Sequence, residues 1–337
     1  MTIRDVAREA NVSLKTVSNV LNGTATVADM TRARVEQAIA KLGYRRNAAA
    51  RSLRRGRSGV VALAVPDLGR PYFAELADHV LTAARGRRLS VLIEQTNGDE
   101  RSEVEVVNSP RFSHAQGIVL ALESIRPGQA ERLRREVERS DRPVVVLGAS
   151  VDLPTVSSLS QPDEMGAFAA TEHLIATGCR NIAAVGGIAG DEAGPGARRA
   201  AGFLRALSAH GMPVSGAPQV LTGEGTFASG EAAVGELLAT GTRFDGVFAF
   251  SDVLALGVLA GLRRAGISVP EQVSLIGFDN LDHSAYTSPA LSSVDTHLSV
   301  LADRAVQLVA GGTDAEHRHE HGGFGFSLVE RETTRAR

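Results

Sequence analysis

Residues 5–22 have the sequence DVAREANVSLKTVSNVLN, which predicts two short helices joined by a tight turn. Ala7 and Ala10 are small enough for the helices to cross closely, and Ser13 is a good N-cap for the second helix. Val17 then faces the first helix. The exposed start and outer face of the second helix consist of Leu14, Lys15, Ser18 and Asn19. This arrangement is typical of a helix-turn-helix, whose second helix enters the DNA major groove.

The side chains on that exposed face suit the recognition of double-stranded DNA. Lys15 can bind guanine O6 and N7 or a phosphate, and Asn19 can pair with adenine N6 and N7. Leu14 can contact a thymine methyl group, and Thr16 is expected to help fix the contact with the DNA backbone. We therefore expect DNA contacts from these residues and Ser18. A solvated helix surface is the alternative for any one of them.

The first 58 residues form a basic segment that is predicted to contain only helices, with a third helix over Thr31–Leu42 ended by Gly43. The segment contains 12 Lys and Arg against 4 Asp and Glu, a net charge of +8, whereas the whole chain has a charge of -2. The remainder of the chain therefore has a net charge of -10. A basic segment attached to an acidic body favours a polyanion-binding module.

Beyond residue 58, short apolar runs alternate with helical patterns. Examples are Val60–Val65 followed by Phe73–Ala84, and Ile182–Val185 followed by Ala197–His210. This alternation predicts parallel, doubly wound sheets. The segment is longer than one sheet normally holds, so we expect two similar lobes with a ligand cleft at the carboxyl ends of the strands.

Several classes of protein are disfavoured by the composition. No run approaches the roughly 18 apolar residues of a membrane span, and the start lacks a signal-peptide core, so we expect a cytoplasmic protein. The single cysteine, Cys179, excludes a disulfide framework and a CxxC-type metal site. The chain has no GxxxxGK[ST] phosphate loop and no GxSxG nucleophile elbow. We therefore expect no enzyme activity and no cofactor.

Residues 5–22, together with GYRRNAAARSL at residues 43–53, resemble the LacI/GalR family of bacterial repressors, and the similarity extends over essentially the whole chain. The resemblance implies an all-α headpiece followed by an α/β two-lobed core similar to periplasmic binding proteins. The implied domains are a helix-turn-helix headpiece at residues 1–46, a hinge helix and linker at 47–58, and a core at 59–337, with its N-lobe at about 59–157 and 293–322 and its C-lobe at about 158–292 and 323–337.

The resemblance identifies Ala48–Leu53 as the hinge helix, which in this family orders only on operator DNA. An isolated helix this short is marginal in water, which suits a switch. Leu53 would insert at a minor-groove step and kink the duplex. The further hinge contacts implied are Asn47, Ala50, Arg51 and Arg54. A disordered basic linker is the alternative.

The resemblance also implies an effector site between the lobes. VPDLGRPYFA at residues 65–74 is similar to the family loop that lines the cleft. Arg199 would donate hydrogen bonds to ligand hydroxyls or to a ligand carboxylate, and Asp279 would accept a hydrogen bond from the ligand. The implied effector-binding residues are Asp67, Pro71, Tyr72, Phe73, Arg199, Phe227, Ser251 and Asp279. An Arg and an Asp together present donors and acceptors to a polyhydroxyl compound, so we expect a sugar or sugar-like effector.

Some positions depart from the family pattern. Gly148 stands where many relatives have an acid, and Gly225 stands where some have a stacking aromatic. Ser160 and Gln161 replace a stretch that commonly contains an aspartate. Asp252 is expected to cap a helix rather than to contact the ligand.

The sequence as a whole predicts a repressor that binds a pseudo-palindromic operator as a homodimer and responds to its effector by a population shift. Residues 330–337 lack leucine heptads, which favours a dimer over a tetramer. A solute-uptake receptor and an enzyme acting in the cleft are the alternatives, disfavoured by the missing signal peptide and the missing paired carboxylates. A surface crossover is expected, rather than a metal site, for His317, His319 and His321.

Overall fold

The computed structural model describes residues 1–22, 27–44, 58–125, 127–148, 156–187, 194–215, 217–223, 225–241, 243–311 and 321–336. Two compact units make up the chain, Met1–Ser58 and Gly59–Arg337. Within the described ranges, no helix is both long enough and apolar enough to cross a membrane.

The N-terminal unit is built around a small apolar core shared by three helices. These helices are α1 (Ile3–Glu9), α2 (Leu14–Asn22) and α3 (Asp29–Leu42). The buried residues of the core are Val6, Ala7, Ala10, Val17, Val35 and Ala38. The small side chains of α1 and its following turn thus lie where α2 packs, as their spacing predicts.

Local signals fix the ends of these helices. The Oγ atom of Ser13 accepts a hydrogen bond of 3.1 Å from the backbone N–H of Thr16, which confirms the predicted N-cap of α2. Gly43 adopts a left-handed conformation with φ of 57° after α3, which confirms the predicted end of that helix. An ion pair of 2.6 Å between Lys41 Nζ and Glu9 Oε1 links α3 to α1.

The larger unit contains two six-stranded sheets, one in each lobe, which confirms the predicted fold class. The N-lobe strands are β1 (Val60–Val65), β2 (Ser90–Gln95), β3 (Ile118–Ala121), β4 (Val144–Leu147), β5 (Ser157–Ser160) and β11 (His321–Gly323). The C-lobe strands are β6 (Ile182–Val185), β7 (Gln219–Val220), β8 (Gly246–Ala249), β9 (Ser274–Asp279), β10 (Ser292–Asp295) and β12 (Ser327–Val329). The N-lobe sheet has the order β11-β5-β4-β3-β1-β2, and the C-lobe sheet has the order β12-β10-β9-β8-β6-β7. Every described pairing is parallel except that of β10 with β12.

Helices cover both faces of the sheets. Those of the N-lobe are α4 (Pro71–Gly86), α5 (Glu100–Glu105), α6 (Pro127–Glu138) and α11 (Leu298–Ala310). Those of the C-lobe are α7 (Asp163–Ala176), α8 (Pro195–Ala209), α9 (Phe227–Ala239) and α10 (Asp252–Arg264). Short 3-10 helices occur at Val106–Asn108, Pro110–Phe112 and Asp282–Tyr286. In the N-lobe, α4 and α11 cover one apolar face of the sheet, while α5 and α6 cover the other.

The chain passes between the lobes a few residues beyond the predicted boundaries. β5 pairs with β4 in the N-lobe sheet, although the sequence places residues from 158 onward in the C-lobe. β10 pairs with β9 in the C-lobe sheet, although the sequence places residues from 293 onward in the N-lobe. The physical reason is that each strand completes its hydrogen-bonded ladder before the chain leaves the sheet.

Candidate functional site

The N-terminal end of α2 presents the residues that the sequence predicts for DNA contact. Leu14 is 45% exposed although it is apolar, and Lys15 is exposed beside it. The hydroxyl of Thr16 lies 2.9 Å from Ser13 Oγ, so this side chain supports the cap of the helix. One turn further along, the partly exposed positions are Ser18 and Asn19.

The predicted hinge contacts lie outside the described residues. They are Asn47, Ala50, Arg51, Leu53 and Arg54. The predicted surface tract also lies outside them at His317 and His319, and the side chain of His321 is likewise not described. Among the residues that the structure does describe, no three His, Cys, Asp or Glu side chains group together as metal ligands.

A cavity of about 120 Å³ lies between the two lobes, where strands of both sheets end. Its N-lobe lining consists of Arg70 and Glu123. The C-lobe lining consists of Gly187, Pro195, Gly196, Arg199, Thr222, Gly223, Gly225, Phe250, Ser251 and Leu254. Two of the predicted effector-binding residues, Arg199 and Ser251, therefore lie on the wall. This position at the carboxyl ends of parallel strands is where ligands bind in such folds.

Arg199, near the start of α8, is only 7% exposed and is held by several acceptors. Its Nε atom donates to Asp163 Oδ1 at 2.8 Å, and its Nη2 atom donates to Gln161 Oε1 at 2.9 Å. Its Nη1 atom donates to the carbonyl oxygen of Phe250. The guanidinium carbon lies 3.8 Å from the centre of the Phe278 ring, a cation–π contact. These contacts fix the orientation of the guanidinium at the cavity wall.

Asp279 and Tyr72 lie beside this guanidinium. Asp279 Oδ1 is 3.5 Å from Arg199 Nη2, and its backbone has φ of 108°, a conformation that costs free energy in a residue with a Cβ. Burial raises the pKa of Asp279 to about 8, although the charge of Arg199 opposes this shift. Burial and the nearby charge of Asp279 also raise the pKa of Tyr72. The fold thus brings together three residues that the sequence assigns to the effector site.

The other residues predicted near the start of α4 have structural roles in the loop or in the helix and are not among the residues that line the cavity. Phe73 is 3% exposed and belongs to the apolar core under α4, which corrects its expected place on the cleft wall. Pro71 is the first residue of α4, where its missing N–H costs nothing. Asp67 Oδ1 accepts a hydrogen bond of 2.8 Å from the backbone N–H of Gly69. Because α4 begins at Pro71, its third residue falls on the inward face of the helix.

Phe227 does not line the cavity either. It is the first residue of α9, and its side chain is 47% exposed. The cavity wall nearby consists of the loop before α9, namely Thr222, Gly223 and Gly225. The helix starts directly after the capping residue Thr226, so the ring leaves from the helix and not from the loop.

Ser251 lies on the cavity wall as the sequence predicts, and it also takes the capping role that the sequence gives to Asp252. Ser251 Oγ accepts a hydrogen bond of 3.2 Å from the backbone N–H of Leu254, so Ser251 is the N-cap of α10 while it also lines the cavity. Asp252 is fully buried and is not the cap. It accepts hydrogen bonds from the backbone N–H of Leu281 at 2.8 Å and from the hydroxyls of Ser284 and Ser293, both at 2.6 Å. Asp252 thereby ties three segments of the C-lobe together.

Sequence reasoning missed Arg70 and Glu123, which form an ion pair of 2.6 Å on the N-lobe wall. Arg70 lies within the loop quoted for the family resemblance, and Glu123 follows β3. Charged residues in the loops that follow two neighbouring parallel strands lie at the same sheet edge. That positional signal could have identified both.

The structure explains two of the positions at which the sequence departs from the family pattern, Gly148 and Gln161. Gly148 has φ of 89°, and a Cβ there would lie 2.4 Å from the carbonyl oxygen of Leu122, so only glycine fits. Gln161 accepts from Arg199 and donates to Thr296 Oγ1 at 2.9 Å. The neutral side chain of Gln161 thus connects the buried guanidinium of Arg199 to Thr296, which lies where the chain returns from β10 to the N-lobe.

The family models, curated proteins and solved structures that this chain resembles agree with one another. Residues 2–47 match the family described as bacterial regulatory proteins, lacI family, and residues 171–334 match the periplasmic binding protein-like domain. Catabolite control protein A of Priestia megaterium is 33% identical over 294 residues, which cover 87% of each chain. The transcriptional regulator CelR, solved as a cellobiose complex, is 28% identical with a TM-score of 0.72 and covers 99% of each chain.

The Lac repressor dimer bound to operator shares the fold, with 24% identity, a TM-score of 0.83 and coverage of 100% of this chain and 99% of that one. The curated relative is named a control protein and CelR a transcriptional regulator, and neither is named an enzyme. Because the relative that is 33% identical spans 87% of the chain, the protein belongs to the LacI family of bacterial transcriptional regulators.

Proposed function

We propose that this protein is a repressor that binds a specific operator sequence and is controlled by a sugar or sugar-like compound in the cleft. The observation that supports the proposal most directly is the pairing of opposite charges at the cavity. Arg199 is bound by Asp163, and Arg70 is bound by Glu123. Such pairs present donors and acceptors side by side, which is what the hydroxyls of a sugar require.

The exposed face of α2 is proposed to read the operator. Leu14, Lys15, Ser18 and Asn19 contact base edges, while the capped first turn with Thr16 fixes the helix on the DNA backbone. The basic headpiece adds phosphate contacts, which make binding strongly dependent on salt. The family resemblance adds Leu53 as a minor-groove wedge. The operator-bound structure of the Lac repressor, which has the same fold, supports this half of the proposal.

The cleft is proposed to control the headpiece through a shift between two arrangements of the lobes. An effector can shift that equilibrium only by its difference in affinity for the two arrangements. Side chains from both lobes line the cavity, so a bound ligand contacts both and favours one arrangement over the other. The cellobiose complex of CelR supports a sugar as the ligand class.

The C-lobe is proposed to contribute to a homodimer. Its surface has a groove of about 420 Å³ whose apolar lining includes Leu256, Leu259, Ala260, Ile267 and Val269. An apolar groove of this kind is typical of a protein–protein interface. A two-fold symmetric dimer would present two headpieces to a pseudo-palindromic operator. Leu259→Glu should convert the dimer to a monomer in light scattering. Leu238→Glu, on an exposed leucine of α9 outside the groove, is the control and should leave the dimer intact.

Selection of bound sequences from a random DNA pool tests the DNA half of the proposal. The purified full-length protein should enrich a pseudo-palindrome at moderate salt. Lys15→Ala should weaken binding to that sequence, and Lys41→Ala should change it little because Lys41 is paired with Glu9 on the far helix. Recovery of no enriched sequence would overturn the proposal.

A further inference from the structure

We propose that the ion pair between Arg70 and Glu123 is the N-lobe contact of the effector and selects an uncharged polyhydroxyl compound. Anionic analogues such as sugar phosphates and sugar acids are excluded by the same pair. The inference rests on the proposed function of the cleft, and it adds to that function a charge requirement and two specificity residues.

The pair is placed where a ligand in the cavity meets the N-lobe. Arg70 follows β1 and Glu123 follows β3, so neighbouring strands set the two side chains at one sheet edge. Arg70 Nη1 lies 2.6 Å from Glu123 Oε2, and the side chains remain 32% and 42% exposed. The guanidinium carbon also lies 5.3 Å from the centre of the Phe73 ring, which is fixed in the N-lobe core. The Phe73 ring therefore holds the Arg70 guanidinium on the side of the N-lobe core, and the ion pair remains accessible from the cavity.

Arg70 also reaches the opposite lobe. A Cβ at Gly225, in the C-lobe loop before α9, would lie 3.1 Å from Arg70 Nη2. The guanidinium thus occupies the space that a side chain at position 225 would need. The absence of an aromatic residue at this position is explained by the arginine that fills it. A ligand that binds Arg70 therefore acts at the point where the two lobes meet.

The charges around the cavity favour a neutral ligand. Both described arginines of the lining have an acidic partner, Arg70 in Glu123 and Arg199 in Asp163. A diol can donate to the carboxylate of Glu123 and accept from the guanidinium of Arg70 without displacing either. An anionic ligand would have to separate a carboxylate from its arginine and lie next to that carboxylate, and such like-charge contact is a device for rejecting wrong ligands.

Calorimetric titration of the full-length protein tests the proposal. The probes are glucose, galactose, cellobiose, glucose 6-phosphate and gluconate. Wild-type protein should bind at least one neutral probe and discriminate against both anions. Glu123→Gln should lower the affinity for the neutral probe at least tenfold, because Arg70 loses its carboxylate partner. For the same reason, the ratio of the affinity for the neutral probe to that for the anions should fall at least tenfold. Asp303→Asn is the matched control, since it removes the acid of the exposed Arg87–Asp303 pair of 2.7 Å elsewhere on the N-lobe, and it should change no affinity.

Gly225→Leu provides a second test that removes no charge. Its Cβ would already lie 3.1 Å from Arg70 Nη2, so the atoms beyond the Cβ should displace the guanidinium and weaken binding of the neutral probe several-fold. Affinities of Glu123→Gln within twofold of wild type, or tighter binding of an anion by wild type, would overturn the proposal. Failure of all five probes to bind wild type would also overturn it. Operator binding by the same samples would show separately whether the repressor function holds.

Discussion

The Nη2 atom of Arg198 donates a hydrogen bond of 3.1 Å to the carbonyl oxygen of Gly148. Arg198 lies on α8 of the C-lobe, and Gly148 follows β4 of the N-lobe, so this bond joins the lobes beside the cavity. The same Nη2 atom donates to Asp163 Oδ2 at 2.7 Å. One guanidinium is therefore shared between an ion pair within the C-lobe and a contact between the lobes, and movement of the lobes must change its surroundings.

Gly148→Ala is expected to destabilise the core by about 2 kcal/mol or more, because the residue has φ of 89° and the new Cβ would overlap the carbonyl oxygen of Leu122. Chemical denaturation measures the free energy of unfolding. Gly128→Ala is the control, since a Cβ there meets open space on α6, and it should not reduce stability. Equal stability of the two variants would contradict the structural requirement for glycine at position 148.

Arg198→Ala should cost about 1–3 kcal/mol of stability, because buried Asp163 then keeps, among the side chains that the structure describes, only its bond from Arg199. Arg205→Ala, on the same helix, removes an ion pair with Glu164 in which both side chains are about half exposed. Its cost should be below about 1 kcal/mol. Thermal unfolding of the two variants compares a partly buried with an exposed arginine, and a reversed order would contradict the assigned roles.

Ser251→Ala should cost about 1 kcal/mol, the usual contribution of an N-cap. Asp252→Ala should cost at least about 3 kcal/mol, because the N–H of Leu281 and two serine hydroxyls lose their buried acceptor. Measured unfolding free energies in this order would support Ser251 as the cap and Asp252 as a buried acceptor. A loss for Asp252→Ala no larger than that for Ser251→Ala would contradict these roles.

Asp279→Asn should change the pH dependence of stability. The pKa of this carboxyl rises from an ordinary value of 3.8 to about 8 on folding. The folded state therefore binds more protons than the unfolded state between those values. Stability is lost as the pH rises through this window, by up to about 1.4 kcal/mol per pH unit, and no further above it. The unfolding free energy of the variant minus that of wild type should therefore increase as the pH rises from 5 to 8. Parallel profiles in denaturant titrations would show that Asp279 stays ionised on folding.

Lys15→Ala should reduce the slope of log affinity against log salt by about one if Lys15 contacts a phosphate. If Lys15 instead contacts guanine, the variant should lose about 1–3 kcal/mol of discrimination at one base pair, with a smaller change in the salt slope. Fluorescence anisotropy with the selected operator and its single-base variants separates the two outcomes. If the variant kept both the salt slope and the base discrimination of wild type, Lys15 would not be a DNA contact.

Much of the fold could be predicted from neighbouring residues alone. The start of α2 follows from Ser13, and β1 and β6 have their predicted bounds, because caps and apolar runs act within a few residues. α9 was not predicted, since its sequence FASGEAAVGELLA is small or apolar around most of the helix and shows no distinct polar face. The aspartate at position 252 looked like a cap because it starts a helix, and nothing local reveals its three distant donors.

Only the tertiary structure decided which side chains meet in the cleft. Arg70 and Glu123 are 53 residues apart, and the side-chain acceptors of Arg199 lie 36, 38 and 80 residues away along the chain. Phe73 and Phe227 do not line the cavity, because each belongs to the first turn of a helix, and that turn, not the loop before it, sets the direction of the ring. Helix caps and strand runs are determined by local interactions, which the sequence displays directly. Contacts in the cleft depend on which strand ends the two sheet orders bring together, and that order is settled only when the distant segments pack.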